Sequence, residues 1–278
     1  MKKVYCIATI VVCIALFQGI AHAGGHGAYF SWGRGWPSVG FPDFLEEKYP
    51  GVQADLSLQL DHFTVGYIYD SAPTRAEYLT YRGTIGFDIA CTKLTDQEIK
   101  YGSFTLPEAL EGVMSDLFDA TGYGFSTKHT LAYTLLNSER FKCWLGPSVR
   151  LNVNYQNPSA ITGNIGTIEY SLNPWAVNLS VGGGFEGGVN CHLNCDMSLS
   201  LSTGFHYNAF GYYLKAEADT SISSLGLSQD WGGWGGEPYV FVEISLLFRS
   251  GEDLFALRST RPTAPETPSP ILTPVPTE

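Results

Sequence analysis

The chain has 278 residues, carries a formal net charge of −11 and is 44% hydrophobic, 14% aromatic and only 15% charged. This acidic excess argues against a nucleic-acid partner, because the phosphate backbone attracts basic surfaces. The 31 glycines and the aromatic content favour a β protein with many turns over a helical one. A secreted soluble β-sandwich has the same composition, so the distinction depends on the pattern along the chain.

The N-terminus has the parts of a secretory signal peptide. Lys2 and Lys3 precede the apolar run Val4–Phe17, and Ala21-His22-Ala23 offers small residues for cleavage before Gly24. Without the two lysines, the 16 Lys and Arg become 14, against 27 Asp and Glu, which gives a formal charge of −13. No later segment reaches about 18 continuous apolar residues, so helical spans are excluded and membrane insertion would require a closed β-barrel.

The clearest local pattern is a predicted hairpin of two long strands, Gly124–Leu136 and Arg140–Tyr155, joined by the polar link Asn137-Ser138-Glu139. Along the second strand, apolar residues alternate with polar and basic ones. The apolar positions are Cys143, Leu145, Val149, Leu151 and Val153, and the alternate positions are Lys142, Trp144, Ser148, Arg150, Asn152 and Asn154. A strand of about 13 residues would span roughly 40 Å, which suits a tilted transmembrane crossing.

Six further segments are predicted strands. In chain order they are Gly27–Trp32, Ala54–Tyr69, Tyr78–Cys91, Ile168–Val189, Asp196–Tyr213 and Glu237–Phe248. In the second of them the apolar residues change phase near Asp61-His62, which indicates either a β-bulge or a break into two strands.

The connections between these strands alternate between short and long. The long ones, predicted to be surface loops, are Gly33–Gln53, Thr92–Thr121, Gln156–Thr167 and Leu214–Gly236. An even number of strands leaves both chain ends on the side of the short turns, as in bacterial outer-membrane barrels. The sequence therefore predicts an all-β fold, an eight-stranded antiparallel up-and-down transmembrane β-barrel.

The connection Thr92–Thr121 contains one predicted helix. Thr105 and Glu108 form a capping box, and Pro107 suits the first turn. An apolar stripe follows, made of Leu110, Val113, Met114 and Leu117. We expect this short loop helix to pack on the rim of the barrel, and a binding or plugging element is the alternative.

The composition changes after the last predicted strand. Residues 261–278 include six prolines among Thr, Ser and Ala, a composition that cannot bury a core. The predicted organisation is a signal peptide at 1–23, a barrel at 24–250 and a Pro-rich disordered periplasmic tail at 251–278.

Charged residues on the polar faces of the strands are predicted to line the barrel interior. They are Arg82, Asp88, Lys128, Arg150, Glu186 and Glu243. Because an isolated charge is costly in a narrow, partly dry lumen, we expect these opposite charges to pair and close the barrel as a plug. A gated small-solute pore is the alternative.

Four cysteines remain beyond the predicted signal peptide. Cys191 and Cys195 flank a three-residue turn and are predicted to form a disulfide in an oxidising compartment. With His192 they match no common zinc spacing, so we predict no metal and no cofactor. Cys91 and Cys143 face lipid on strands that are not neighbours, and we predict free thiols there.

The pattern from Gly27 to Phe248 resembles the eight-stranded outer-membrane β-barrel family, the small barrels of the OmpA N-terminal domain and OmpX kind. Besides the topology, the segment Trp144–Leu151 is similar to an upward strand common in such proteins. The last strand, ending in Phe248, is similar to the aromatic-terminated segment that the barrel assembly machinery reads. The chain departs from the family by continuing for 30 residues as a Pro-rich tail with no peptidoglycan-binding domain after it, so cell-wall anchoring is not carried over.

This resemblance implies the outer membrane of a Gram-negative bacterium as the location. It implies outer-membrane lipid and the barrel assembly machinery as partners, and a monomer as the working state. The function expected from it is structural or interactive, with four loops displayed at the cell surface and a surface ligand reached through them.

A lipid A-modifying enzyme is the rival class. The deacylases among small barrels use a His and a Ser two residues apart, and the segment around His206 is only faintly similar, because Asn208 takes the serine position. By phase, His206 points into the lumen, whereas lipid is reached from outside. No other nucleophile, carboxylate pair or phosphate-binding loop has suitable spacing, so we predict no enzymatic activity.

Overall fold

The computed structural model describes residues 25–38, 52–72, 78–101, 104–105, 119–158, 160–165, 168–194, 196–220 and 227–249. The predicted signal peptide, the predicted tail and most of the predicted loop helix lie outside these residues. Thr105, the predicted first residue of that helix, lies instead in a two-residue strand. No helix in the described ranges is long and apolar enough to cross a bilayer.

Ten strands make up the described part of the chain. They are β1 (Gly25–Gly35), β2 (Val52–Asp70), β3 (Leu79–Tyr101), β4 (Phe104–Thr105), β5 (Ala120–Asn137), β6 (Phe141–Gln156), β7 (Ile161–Ile165), β8 (Ile168–His192), β9 (Met197–Thr220) and β10 (Leu227–Arg249). Eight of them form a closed antiparallel ring in the order β1, β2, β3, β5, β6, β8, β9, β10, and β10 pairs back with β1. The short strands β4 and β7 pair only with β3 and β8. The predicted eight-stranded up-and-down barrel is confirmed.

The two faces of the ring are the reverse of those in a soluble protein. On β6, Lys142 and Arg150 are buried inside the ring, whereas Val149 on the outer face is 56% exposed. Phe125 on β5 is 66% exposed, also on the outer face. Large apolar side chains that face outward around a closed ring need a hydrocarbon solvent, so this is a transmembrane barrel of the outer-membrane type and not a soluble sandwich.

Exposed aromatic side chains mark the two edges of this apolar band. On β5, Tyr133 lies near the short turn, and Tyr123 lies ten residues earlier in the chain, near the opposite end of the strand. At about 3.3 Å per residue and the usual strand tilt, that separation corresponds to roughly 25 Å, the height of the apolar band in outer-membrane barrels.

The central hairpin is confirmed. Ser138 N donates to Phe141 O at 2.8 Å, and Phe141 N donates to Ser138 Oγ at 3.1 Å, which closes the turn. The register between β5 and β6 shifts once, between Thr134 and Leu136. Cys143 lies half-buried on the outer face of β6, in the predicted phase.

The β-bulge predicted at Asp61-His62 is wrong in position. The register between β2 and β3 shifts between Ser57 and Leu58 instead. Leu58 and Leu60 are buried on the same inner face as His62, so the strand keeps one phase through this segment. Because Leu58 and Leu60 are apolar although they face the lumen, the apolar residues of this strand change phase in the sequence while the strand itself does not.

Three strands extend further than the sequence predicts. Parts of the loops predicted at Thr92–Thr121 and Leu214–Gly236 are strand, because β3 continues to Tyr101, β9 to Thr220 and β10 begins at Leu227. Beyond the membrane, backbone pairing satisfies the peptide groups whatever the side chains are, so the apolar alternation disappears before the strand ends.

Candidate functional site: the barrel lumen

Polar and charged side chains fill the lumen in three layers, which we name by their distance from the short turns. Along β3, Arg82 belongs to the lower layer, Thr84 pairs in register with Lys128 of the middle layer, and Asp88 belongs to the upper layer. All six residues predicted to form the charge network are buried inside the ring.

The lower layer is centred on the guanidinium of Arg82. Its Nη1 donates to Asp70 Oδ2 at 2.7 Å and to Asn190 Oδ1 at 3.3 Å, and its Nη2 donates to Ser200 Oγ at 3.2 Å. The ring of Trp144 covers the guanidinium, with its centroid 4.3 Å from Cζ. These partners come from β2, β6, β8 and β9, so the contacts reach across the lumen from β3.

The middle layer is centred on Lys128. Its Nζ donates to Glu186 Oε1 at 2.7 Å and to Glu243 Oε2 at 2.8 Å. Thr130 and Ser202 also donate to Glu186, at 2.6 and 2.8 Å. Because β5, β8 and β10 are not neighbours in the ring, this ion triad spans the cross-section of the barrel.

The upper layer is centred on the carboxylate of Asp88. His62 Nδ1 lies 2.7 Å from Oδ2, and the amides of Asn152 and Asn154 each donate to the same oxygen at 2.9 Å. Thr64 Oγ1 donates to Oδ1 at 2.6 Å. Four donors from two strands, β2 and β6, therefore surround one buried carboxylate.

A second carboxylate of the upper layer is Glu237. Asn208 donates to its Oε2 at 2.7 Å, and the Nε2 atom of His62 lies 3.9 Å from its Oε1. His62 thus stands between two acidic side chains, Asp88 and Glu237.

The six residues named from the sequence do not all meet. Lys128, Glu186 and Glu243 form the middle triad, and Arg82 lies 3.9 Å from Glu243. Arg150 forms no ion pair among the described residues and stacks on Tyr239 instead, with Cζ 4.1 Å from the ring centroid.

Sequence reasoning missed several partners in these layers. The sequence places Asp70 in a connection between strands. It places Glu237 at the first position of a strand, where it is hardest to predict which way a side chain faces. The bulge predicted at Asp61-His62 left the facing of His62 undetermined. An uninterrupted alternation from Leu60 to Ile68 places the His62 side chain inside the barrel.

A serine and a histidine meet in the lumen in a way the sequence does not reveal. Ser148 Oγ and His206 Nε2 share a hydrogen bond of 2.5 Å between β6 and β9. The Nδ1 atom of His206 has no hydrogen-bond partner among the described residues, so no carboxylate orients the imidazole. Both side chains are buried in the lumen and do not face lipid.

An apolar cavity lies at the end of the lumen that carries the long connections. Its apolar walls are Pro37, Leu58, Leu60, Pro158, Ala176, Phe210 and Leu214. Thr92, Gln156 and Asn178 add polar groups to the walls, and Gln156 Nε2 donates to Thr92 Oγ1 at 2.6 Å. This end of the lumen is thus chemically distinct from the charged layers below it.

The cysteines have separate environments. Cys91 and Cys143 carry free thiols on β3 and β6, which are not neighbours in the ring. Cys191 is exposed and its sulfur is unpaired, and its predicted partner Cys195 lies outside the described residues. The disulfide stays a prediction.

No protein-family model and no curated protein sequence matches the chain. Solved structures with a similar shape include a major outer membrane protein from Thermus thermophilus, 15% identical, with a TM-score of 0.42 over 80% of this chain and 99% of that one. They also include the outer membrane protein OprG from Pseudomonas aeruginosa, 12% identical, with a TM-score of 0.37 over 83% of this chain and 98% of that one. A third is an outer membrane channel from Pseudomonas putida, 11% identical, with a TM-score of 0.27 over 82% and 96% of the two chains. Similarity at this level assigns no function.

Proposed function

We propose that this chain is a sealed outer-membrane barrel that acts at its extracellular end, as a surface-interaction protein, and does not transport solutes through its lumen. The observation that supports this most directly is the middle triad, because Lys128 connects Glu186 and Glu243 from three strands that are not neighbours. The proposed setting is the outer membrane of a Gram-negative bacterium, with lipid and the assembly machinery as partners of a monomer.

A sealed lumen follows from the width of an eight-stranded barrel. Such a barrel has an interior just wide enough for its own side chains. A passage would require Arg82 and Lys128 to leave their carboxylates, and breaking a buried ion pair exposes uncompensated charge at high cost.

Planar-bilayer recording of the purified full chain tests the sealed state. We expect no stable conductance steps from the natural sequence. Lys128→Ser removes the side chain that spans the middle layer and is expected to produce intermittent steps. Arg34→Ser is the matched control, because Arg34 pairs with Asp61 outside the lumen and its loss leaves the layers intact. Stable steps from the natural sequence would contradict the proposal.

The cavity beyond the upper layer favours a second candidate function, the binding of a small apolar molecule. Concave apolar sites with a few polar groups are the usual form of ligand pockets. Phe210→Trp is expected to fill the cavity and abolish saturable binding of an environment-sensitive naphthylamine dye to the barrel in lipid nanodiscs. Phe205→Trp, on the lipid face of the same strand, is the matched control and should bind as the natural sequence does.

We further propose that the chain is not an enzyme. Ser148 and His206 form the one pair in the described lumen that resembles a nucleophile and its base, yet both are buried and His206 has no carboxylate partner. Cells with and without the protein should have the same lipid A masses, and a mass change that depended on Ser148 would overturn this.

A further inference from the structure

Arg150 differs from the other basic side chains of the charged layers. Arg82 and Lys128 each have a carboxylate oxygen at 2.7 Å. Arg150 is 4% exposed, and both of its terminal nitrogens, Nη1 and Nη2, have no hydrogen-bond partner among the described residues. A buried guanidinium whose terminal donors are unused is costly unless something in the lumen satisfies them.

The nearby carboxylates of Asp88 and Glu237 attract Arg150 through space but form no direct ion pair with it. Asp88 accepts hydrogen bonds from four side chains of the upper layer, including His62. Glu237 accepts from Asn208 through Oε2, and its Oε1 has no hydrogen-bond partner among the described residues. Neither carboxylate accepts a hydrogen bond from the terminal nitrogens of Arg150, whose guanidinium stacks on Tyr239 instead.

A separate cavity of about 20 Å³ lies against Arg150, between the middle and upper layers. Hydroxyl groups dominate its walls, supplied by Tyr29, Ser31, Thr64, Thr84 and Ser126. Lys128 adds a second cation to the wall. Glu243 is the one carboxylate on the wall, and Lys128 binds its Oε2 at 2.8 Å while Arg82 lies 3.9 Å from its Oε1.

We propose that this cavity binds a small monovalent inorganic anion, such as a halide, with Arg150 as the principal ligand. A guanidinium and hydroxyl donors are the groups that coordinate an anion inside a protein. Water could also satisfy the donors, whereas a halide in addition places a full negative charge in direct contact with Arg150 and beside Lys128, the two cations on the wall. The size of the cavity favours a halide over a phosphate or an organic acid.

Crystals of the full-length protein grown in sodium bromide give the direct test. An anomalous peak in contact with the terminal nitrogens of Arg150 is expected. Full-occupancy water at that position in saturating bromide would overturn the proposal, and so would an empty cavity.

Thermal stability gives a second, independent test in solution. At equal ionic strength, chloride or bromide should raise the melting temperature by about 3 °C or more relative to gluconate, which is too large to enter. Arg150→Met should lose this difference, and Arg150→Lys should keep part of it. Arg34→Met, on the outer surface, is the matched control and should keep all of it. An equal halide effect in the Arg150→Met barrel would overturn the proposal.

If Arg150→Met does not refold, Ser126→Ala replaces it. Ser126 contributes one hydroxyl to the wall and pairs with no charge, so its loss should leave the barrel folded. We expect at least a halving of the halide-dependent shift in that variant, and an unchanged shift together with no bromide peak would refute the site.

Discussion

At the scale of single residues, one ammonium group organises the middle of the lumen. Lys128 Nζ lies 2.7 Å from Glu186 and 2.8 Å from Glu243, and it also lies 4.2 Å from the ring centroid of Phe241. Removing one member of a buried ion pair leaves an uncompensated charge, whereas removing both members is often nearly neutral. The middle triad is therefore a set whose members depend on one another.

Lys128→Met should lower the free energy of unfolding by about 3–5 kcal/mol, because the two carboxylates would then face each other without the ammonium group that bridges them. Urea unfolding of the barrel refolded into lipid vesicles measures this. Adding Glu186→Gln to Lys128→Met should recover part of the loss, since one of the repelling charges disappears. If the double variant were less stable by the sum of the two single losses, the residues would not be coupled.

Single residues are also where sequence reasoning had least to work with. It could assign Arg82, Lys128 and Glu186 to the inner face from alternation alone. It could not pair them, because the contacts join strands that are far apart in the sequence, such as β5 and β8. Lys128 has ion-pair partners and Arg150 has none among the described residues, and this difference depends on how far side chains reach across the lumen. A period-two sequence pattern carries no information about that reach.

At the scale of elements, close strand approach depends on particular glycines. On β6, a Cβ atom at Gly146 would lie 2.0 Å from the backbone oxygen of Leu131 on β5. The obstacle is backbone, so a side chain there must push the two strands apart. The register pairs between β5 and β6 are also interrupted near this point, between Thr130 and Tyr133.

Gly146→Ala should therefore destabilise the barrel by about 1–3 kcal/mol, as overpacking does elsewhere. Urea unfolding in vesicles is again the measurement. Gly232→Ala is the matched control, because a Cβ atom there would meet its nearest neighbour, Tyr212 O, at an ordinary 3.4 Å. Equal stability of the two variants would show that β5 and β6 can separate at no cost.

The bounds of a strand could be predicted where contact with lipid imposes an alternation of apolar and polar residues. They could not be predicted where the strand lies outside the lipid. The outer face of β6 alternates throughout, and its bounds, Phe141–Gln156, are within one residue of the predicted strand. The outer ends of β3, β9 and β10 lie beyond the apolar band, where the aqueous side imposes no alternation. There the sequence predicted loops and the structure has paired strands.

At the scale of the whole molecule, the closed ring should resist detergent. Closed barrels have no free edge, so sodium dodecyl sulfate at room temperature cannot start unfolding at an unpaired strand. The unheated protein should migrate faster on a gel than the boiled protein. Identical migration of the two samples would contradict a closed barrel.

The barrel also determines which thiols water can reach. Cys191 is exposed near a short turn, whereas Cys143 lies on the lipid-facing side of β6. In lipid vesicles with that turn outside, a charged maleimide should label Cys191, after reduction, and leave Cys143 unlabelled until the protein is denatured. Mass mapping of the labelled sites reads the result, and prompt labelling of Cys143 would mean that its strand is turned the other way.

The pairing of β1 with β10 makes the first described strand the partner of the last. Eleven residue pairs join them, from Gly25 with Arg249 to Gly35 with Tyr239. The other pairs of the ring join strands that follow one another along the chain, yet the seam can form only when the first and last strands have come together. Until then the growing sheet carries two unsatisfied borders, each able to recruit another unfinished copy. Closure of the barrel therefore competes with association between unfinished copies, and it is the pairing of β1 with β10 that ends this competition.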